Sequence, residues 1–96
     1  MTAPSEPGGP DEPVRDELDL HTFLARDCAD VVAEYVRAAR EAGLTTVRII
    51  HGKGTGTLRR IVHGVLASHP DVAVFRLGGE REGGWGATVV ELTPRS

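Results

Sequence analysis

The feature that most constrains the fold is a β-branched run that ends in a glycine-rich loop and is followed directly by an amphipathic helix pattern. Thr45–Ile50 has the residue types that favour a strand, and three glycines lie within the next segment, His51–Gly56. Apolar residues then recur on one helical face over Leu58–Leu66. Pro70 disfavours helical backbone in the residue before it, so the helix is predicted to end just before Pro70. This order of strand, glycine loop and helix predicts a crossover unit of an α/β domain.

A further strand and helix precede this unit. Glu17–His21 alternates polar and apolar residues, as a half-buried strand does. Phe23–Ala42 carries a helical apolar stripe, for which Thr22 is a suitable cap and Gly43 a suitable end. Cys28 lies on that stripe, so we interpret it as a core residue rather than a reactive thiol.

Two more strands, Val72–Leu77 and Ala87–Leu92, flank the glycine-rich segment Gly78–Gly86. The helical crossovers make the first three strands parallel if they share a sheet, and the last two strands form an antiparallel hairpin. We therefore predict an α/β fold of the two-layer α+β type, in βαβαββ order. Two helices cover one face of a mixed four-stranded sheet, and the opposite face stays open to water or to a ligand.

The chain has 96 residues, enough for one domain, which we place at residues 17–93. Residues 1–16 are rich in proline, glycine and acidic side chains and are predicted to be a disordered tail, with a short C-terminal tail at 94–96. Five acids and one arginine fall within residues 1–17, whereas nine acids and ten basic residues lie in residues 18–96. The domain itself is near neutral, so we expect little long-range attraction of nucleic acid.

The composition excludes several classes of protein. No apolar run reaches the roughly 20 residues that a membrane helix needs, and the N-terminus lacks the basic and apolar segments of a signal peptide. A single cysteine cannot form a disulfide within the chain. We expect a cytoplasmic protein with no membrane partner, and we favour a monomer, although the sequence does not fix the oligomeric state.

Asp19 and His21 are the first candidates for chemistry. Side chains two positions apart on a strand point to the same side, so this carboxylate and this imidazole are neighbours, while Leu18 and Leu20 enter the core. A carboxylate beside a histidine orients the ring and stabilises its charged form. The alternative is that the pair is the solvated end of a strand.

The second candidate is His51–Gly56, which joins a strand to a helix. The N-terminus of that helix offers free N–H groups and the positive end of a dipole, an arrangement that binds phosphate. Lys53, the only lysine in the chain, adds a positive charge to the loop. The spacing matches neither a Walker A loop nor a dinucleotide-binding fingerprint. The alternative is a glycine-rich turn that only allows a strand to meet a helix.

His21 and His51 each follow a parallel strand, so both are predicted to lie at the carboxyl edge of the sheet, where the ligand sites of open α/β sheets collect. The loop before the last strand contains Trp85 among glycines, and we expect it to approach the same edge. An exposed Trp85 would suit base stacking, whereas the alternative places its ring against the body of the domain. We assign no chemical role to His63 or His69.

Together these segments resemble the Smr (small MutS-related) family. Leu18–His21 is similar to the first motif of the family, and Val47–Gly56 is similar to the second. Phe75–Leu77 and Gly83–Leu92 are similar to its C-terminal hairpin, so the resemblance covers residues 18–92.

The resemblance implies a fold like that of the C-terminal domain of translation initiation factor three, and it implies binding of DNA or RNA. It also implies nicking endonuclease activity, which some members have, and a ribosome as a candidate partner, because some members act on ribosome-associated RNA. A MutS-type ATPase does not fit within 96 residues, so we expect a stand-alone member. The residues on which the family depends correspond here to Asp19, His21, His51, Gly52, Lys53 and Gly54.

Two functions remain open at the level of sequence. The first is a phosphodiester hydrolase, whose catalytic residues would be Asp19, His21 and His51. Its nucleic-acid-binding residues would be Gly52, Lys53, Gly54, Thr55, Gly56 and Trp85. The second is a non-catalytic adaptor that docks on nucleic acid or a ribosome, which Thr22 favours because the family commonly has glycine at that position. No cluster of carboxylates predicts a metal site, so no metal ligand or cofactor is assigned, and participation of a divalent metal stays open.

Overall fold

The computed structural model describes residues 14–82 and 84–94. Within these ranges the strands and helices are β1 (Glu17–Asp19), α1 (Ala25–Glu41), β2 (Thr46–Ile50), α2 (Thr57–Ser68), β3 (Val72–Leu77) and β4 (Ala87–Leu92). Two short 3₁₀ turns, Glu80–Glu82 and Gly84–Gly86, lie between β3 and β4. The predicted βαβαββ order is confirmed, and each element begins and ends within a few residues of its predicted bounds.

The four strands form one mixed sheet in the order β1-β2-β4-β3. β1 pairs in parallel with β2, and β4 pairs antiparallel with both β2 and β3. The first three strands therefore run in the same direction, as predicted, and the last two form the predicted hairpin. The register pairs Leu18 with Ile49, and it places Val90 between Val47 and Phe75.

The core lies between the sheet and the two helices. Alternate residues of the central strands are almost fully buried: Val47 is 2% exposed, and Ile49 and Val90 are 0% exposed. They meet the apolar stripes of the helices, which are formed by Cys28, Val32, Val36 and Ala39 of α1 and by Val62 and Leu66 of α2. Cys28 donates its S–H to the Leu24 carbonyl at 3.3 Å, and burial raises the pKa of its thiol. The prediction that Cys28 is a core residue is confirmed.

The face of the sheet opposite the helices carries the alternate side chains. On β2, Thr46 is exposed and Arg48 is half-buried, and Arg48 forms an ion pair with Glu17 of β1 on that face. Val74 of β3 is 51% exposed. No helix of the described residues covers this face, so the predicted two-layer arrangement holds.

The N-terminus of α1 differs from the prediction, because Thr22 does not cap it. The helix begins at Ala25 with Leu24 at the N-cap position, and no side chain caps it. The N–H of Phe23 donates to the Leu20 carbonyl at 3.0 Å, so the chain makes a full turn after β1 before the helix can start. At the other end Gly43 has a φ of +88°, and it ends α1 as predicted.

Val14, the first residue that the structure describes, packs against the core. The Tyr35 hydroxyl donates to the Arg15 carbonyl, and the N–H of Arg48 donates to the Asp16 carbonyl at 2.8 Å. Residues 14–16, which the sequence places in the tail, thus lie against the domain. The predicted disorder of residues 1–13 falls outside the described residues, as do residues 95 and 96. None of the helices described here is long and apolar enough to span a bilayer.

Candidate functional site

Three segments meet at the carboxyl edge of the parallel strands. The N–H of Leu20 donates to the Ile50 carbonyl at 3.0 Å, so the chains that follow β1 and β2 leave the sheet side by side. The N–H groups of His51 and Gly52 both donate to the Gly86 carbonyl, at 3.0 and 2.8 Å. The turn before β4 therefore reaches the same edge, as the sequence predicts.

Asp19 and His21 form a defined pair at this edge. The ring Nδ1 and the backbone N–H of His21 lie 2.8 and 2.9 Å from the same carboxylate oxygen of Asp19. These two bonds, the backbone bond first, hold the pKa of Asp19 below its usual value. The His21 side chain is 75% exposed, and its Nε2 has no partner among the described residues. The ring is thus oriented at one nitrogen and open to solvent at the other.

His51 does not project toward this pair. His51 lies two positions after buried Ile49, so its side chain points to the helix-covered face, whereas His21 follows buried Leu20 by one position and points away from that face. The His51 side chain accordingly is 7% exposed. The backbones of both histidines meet as predicted, but their rings lie on opposite faces of the sheet. The catalytic role predicted for His51 from the sequence stays a prediction.

The buried surroundings of His51 contain a second histidine. His51 Nε2 and His63 Nε2 both lie 2.8 Å from Thr88 Oγ1. The two rings stand edge to face with centroids 6.1 Å apart, and the His63 ring also packs on Phe75 at 5.1 Å. Burial is the main cause that lowers the pKa of His51 and of His63, and it favours the neutral form of both rings. Sequence analysis missed this contact of His63, because its partner Thr88 lies on a distant strand.

The glycine loop has the shape that the sequence predicts. Gly52 and Gly56 have φ values of +86° and +90°, which favour glycine, and Gly56 is the N-cap residue of α2. Within the described residues, the protein supplies no acceptor for the four N–H groups of residues 53–56. A depression of about 190 Å³ opens over the loop. Free N–H groups at a helix N-terminus suit a phosphate.

Lys53 packs along the turn that precedes β4. A Cβ atom placed on Gly86 would lie 3.0 Å from Lys53 Cγ, and one on Gly84 would lie 3.6 Å from Lys53 Nζ. Glycine at position 86 lets the lysine stem lie across the turn, whereas the distance at Gly84 is an ordinary contact. Trp85 lies in this turn, but its side chain is outside the described part of the structure, so its predicted stacking role stays a prediction.

Arg59 is a residue of the site that sequence analysis missed. It lines the depression over the loop and an adjoining one of about 140 Å³ that Lys53 also lines. Its Nη2 lies 3.2 Å from the position of a Cβ on Gly56, so the guanidinium folds back over the loop. No acidic group of the described residues pairs with Arg59 or Lys53. The sequence did carry a signal for Arg59, because it is a basic residue in the first turn of a helix, where the dipole favours acidic residues. The first turn of α2 contains no acidic residue.

No group of three or more His, Cys, Asp and Glu side chains comes together among the described residues to hold a metal ion. Within the described part of the chain, the exposed edge brings together Asp19 and His21. His69, to which the sequence assigns no chemistry, links the helices to the sheet: its Nε2 bonds the Ala33 carbonyl at 3.0 Å, and its Nδ1 accepts from the N–H of Asp71 at 3.1 Å.

Comparison with known sequences gives one family. Residues 18–93 match the family model described as the Smr domain. The Endonuclease MutS2 of Brevibacillus brevis is 47% identical over 79 residues, which is 82% of this chain. The Endonuclease MutS2 of Pelotomaculum thermopropionicum is 50% identical over 76 residues, or 79% of this chain. In both cases the alignment takes in 10% of the relative, so the chain spans about a tenth of the length of these curated relatives.

Two crystal structures have the same fold. The Smr domain of Thermus thermophilus MutS2 superposes with a TM-score of 0.77 at 38% identity, over 81% of this chain and 98% of that chain. YdaL, a stand-alone small MutS-related protein from Escherichia coli, superposes with a TM-score of 0.75 at 30% identity. That match covers 80% of this chain and 63% of YdaL.

Proposed function

The chain belongs to the Smr domain family, and on that premise we propose that it binds the phosphodiester backbone of nucleic acid through the loop Gly52–Gly56. The observation that carries the proposal is the set of loop N–H groups that have no acceptor among the described residues. They lie at the N-terminus of α2, beside a depression lined by Lys53 and Arg59, and neither cation pairs with an acidic group of the described residues. A phosphate oxygen would accept from these N–H groups while the two cations neutralise its charge. Nucleic acid as ligand also fits a cytoplasmic protein.

The binding test replaces each of two glycines with alanine at positions where the structure has room for the new methyl group. A Cβ on Gly54 or on Gly64 has no heavy atom within 4 Å, so neither change should disturb the fold. Gly54→Ala places a methyl group in the loop, where a phosphate would approach, and we expect it to weaken oligonucleotide binding about 3- to 10-fold, the equivalent of one hydrogen bond. Gly64→Ala, on α2 outside the loop, is the matched control.

Charge is tested at the two cations. Lys53→Ala and Arg59→Ala should each weaken binding of single-stranded DNA or RNA and reduce its salt dependence. Arg37→Ala serves as the control, because Arg37 lies on α1 and is already paired with Glu34 at 2.5 Å. Unchanged binding in Gly54→Ala and in both charge variants would contradict the loop as the binding site.

The second candidate function is cleavage of the bound phosphodiester, and the orientation of His21 by Asp19 favours it. The exposed Nε2 of His21 would take the proton from the attacking hydroxyl or water as its oxygen bonds to phosphorus, while Asp19 stabilises the ring that becomes charged. The bond from phosphorus to the leaving oxygen would break, and that oxygen would take a proton from solvent. Lys53 and the loop N–H groups would stabilise charge on the phosphate.

A cleavage assay on supercoiled DNA and on structured RNA, with and without divalent metal, separates this function from a non-catalytic adaptor. We expect His21→Ala to lose about 10²–10⁴-fold in rate while it retains binding, and Asp19→Asn to lose less. Intact DNA and RNA under all conditions would favour an adaptor that docks on nucleic acid or the ribosome. Full activity in His21→Ala would assign cleavage to other residues.

A further inference from the structure

A chain of three hydrogen bonds connects α2 to the glycine loop through the interior of the domain. His63 Nε2 lies 2.8 Å from Thr88 Oγ1, which lies 2.8 Å from His51 Nε2. At the other side of its ring, His51 Nδ1 lies 3.0 Å from the Gly52 carbonyl oxygen. Thr88 is fully buried and His51 is 7% exposed, so water has little access to the middle of this chain.

The direction of these bonds follows from the Gly52 carbonyl, which can only accept. His51 therefore carries a proton on Nδ1, and in a neutral ring its Nε2 is then an acceptor. Thr88 has a single hydroxyl proton and must donate it to His51 Nε2. The Thr88 oxygen is left to accept, so His63 must donate to it from Nε2. Each residue of the chain thus sets the proton position of the next.

The chain ends on the peptide that joins Gly52 to Lys53. The N–H of Gly52 is held by the Gly86 carbonyl at 2.8 Å, and the carbonyl of Gly52 is held by His51. In a trans peptide the carbonyl and the following N–H point in opposite directions. The bond to His51 therefore turns the N–H of Lys53 away from the buried ring, and that N–H has no acceptor among the described residues.

We propose that Thr88 and His63 are positioning residues, which act through His51 to hold the Gly52–Lys53 peptide in the orientation that presents the Lys53 N–H to a phosphate. Gly52 makes such control necessary, because a glycine with a φ of +86° restrains the next peptide weakly. The inference rests on the proposed function for the identity of the ligand alone. The bond directions are properties of the free protein.

The first test needs no variant. Long-range ¹H–¹⁵N NMR correlations of the full chain, recorded above the ordinary pKa of histidine, report which ring nitrogen carries the proton. We expect the Nδ1–H tautomer for His51 and the Nε2–H tautomer for His63. Either ring in the opposite tautomer would overturn the proposal.

The second test removes the hydroxyl in the middle of the chain. Thr88→Val removes the donor to His51 Nε2, which is one of the two bonds that favour the Nδ1–H tautomer, and leaves the Gly52 carbonyl as the other. We therefore expect the population of the Nε2–H tautomer to rise, the bond to Gly52 to weaken, and the Lys53 amide resonance to shift. Thr88→Ser restores the hydroxyl and should restore both signals. Thr46→Val makes the same chemical change at an exposed position of β2 and should alter neither. An unchanged His51 tautomer in Thr88→Val would overturn the proposal.

Binding then shows whether the peptide orientation serves the ligand. We expect Thr88→Val to weaken binding of a short oligonucleotide about 3- to 10-fold, the value of one hydrogen bond, and Thr88→Ser to recover it. The His63→Leu variant, which cannot donate, should behave like Thr88→Val, whereas His63→Gln should retain part of the affinity. Wild-type protein that shows the expected tautomers but does not bind would contradict the proposed function and leave the bond directions standing. Binding that Thr88→Val leaves unchanged, despite a changed tautomer, would overturn the positioning role.

Discussion

At the scale of single residues, alternation along two neighbouring strands decides which histidine ring is exposed and which is buried. His21 and His51 follow adjacent strands, yet one imidazole is exposed beside Asp19 and the other is buried against Thr88. Val47, Ile49 and His51 are alternate residues along β2, so the strand alternation by itself predicts that His51 is buried on the same face as the other two. The two rings therefore differ in their access to solvent.

The first prediction concerns the titration of Asp19. Its carboxyl should titrate below the ordinary value of 3.8, because the backbone N–H and then the ring of His21 donate to it. Any stability from these bonds is present above that ordinary pKa and is lost as the pH falls through the lowered one. In His21→Ala the backbone bond remains, so the pKa should rise only part of the way. A ¹³C-detected NMR titration measures both, and an ordinary pKa in the wild-type protein would contradict the geometry.

At the scale of elements, the two helices begin differently at the same edge of the sheet. α2 has Gly56 at its N-cap position in the left-handed conformation, without a side-chain cap, and Arg59 lies in its first turn. α1 has Leu24 at its N-cap position; the Leu24 backbone is extended as an N-cap residue requires, but its side chain cannot accept a hydrogen bond. Only α2 follows a glycine loop, and its N-terminus is the proposed phosphate site. The N-terminus of α1 has no proposed ligand, so we expect a side-chain cap there to stabilise the fold.

The second prediction concerns the cap of α1. Leu24→Ser should raise the free energy of unfolding by about 1 kcal/mol, because serine accepts from a free N–H of the first turn. Little burial is lost, since Leu24 is 57% exposed. Leu24→Ala removes the same apolar group without providing a cap and should give no gain. Urea denaturation measures the difference between the two variants, and equal stabilities would show that the N-cap position is not limiting.

At the scale of the whole molecule, the buried histidines couple stability to pH. The pKa values of His51 and His63 are lowered from 6.5 mainly by burial, and Arg59 opposes protonation of both. The folded protein therefore binds fewer protons than the unfolded chain just below pH 6.5, so the stability from these groups is complete above that pH and falls with acidification.

The third prediction is a decline of the free energy of unfolding between pH 7.5 and 5.5, with a slope of at most about 1.4 kcal/mol per pH unit for each proton taken up. His63→Phe removes one of the two groups and should reduce the slope. Gly64→Ala, its neighbour on α2, should keep the slope of the wild-type protein. Chemical denaturation over this range makes the test, and a stability that rises on acidification would contradict the burial of these rings.

The fourth prediction concerns the salt dependence of binding. The domain carries nearly balanced charge, and the candidate site offers few cations, chiefly Lys53 and Arg59. Nucleic-acid affinity should therefore fall with salt by a shallow slope, equivalent to roughly two to four phosphate contacts. Fluorescence anisotropy over a salt series gives the slope. A slope several times steeper would place the main contact on another basic surface.

The sequence by itself determined the elements, their order and the glycine loop. Local conformation depends on side-chain periodicity, on proline at a helix end and on glycines with positive φ, and all of these are carried by neighbouring residues. Thr22 shows the limit of such signals, because a suitable cap residue was displaced by the turn that the chain needs between β1 and α1. The motif Val47–Gly56 likewise consists of consecutive residues, so its resemblance to the Smr family was visible without knowledge of any tertiary contact.

Only the tertiary structure decided which of these residues touch. β4 lies between β2 and β3, and this brings Thr88 to His51 and His63, which are 37 and 25 positions away in the chain. It also brings Gly84 and Gly86 next to Lys53. Strand order is chosen by the burial of a whole face and by hydrogen bonds between distant segments, so no local pattern contains it. The exposed Asp19–His21 pair was readable from a spacing of two residues, whereas the hydrogen-bonded chain from His63 to Gly52 exists only because the sheet brings Thr88 between the two histidines.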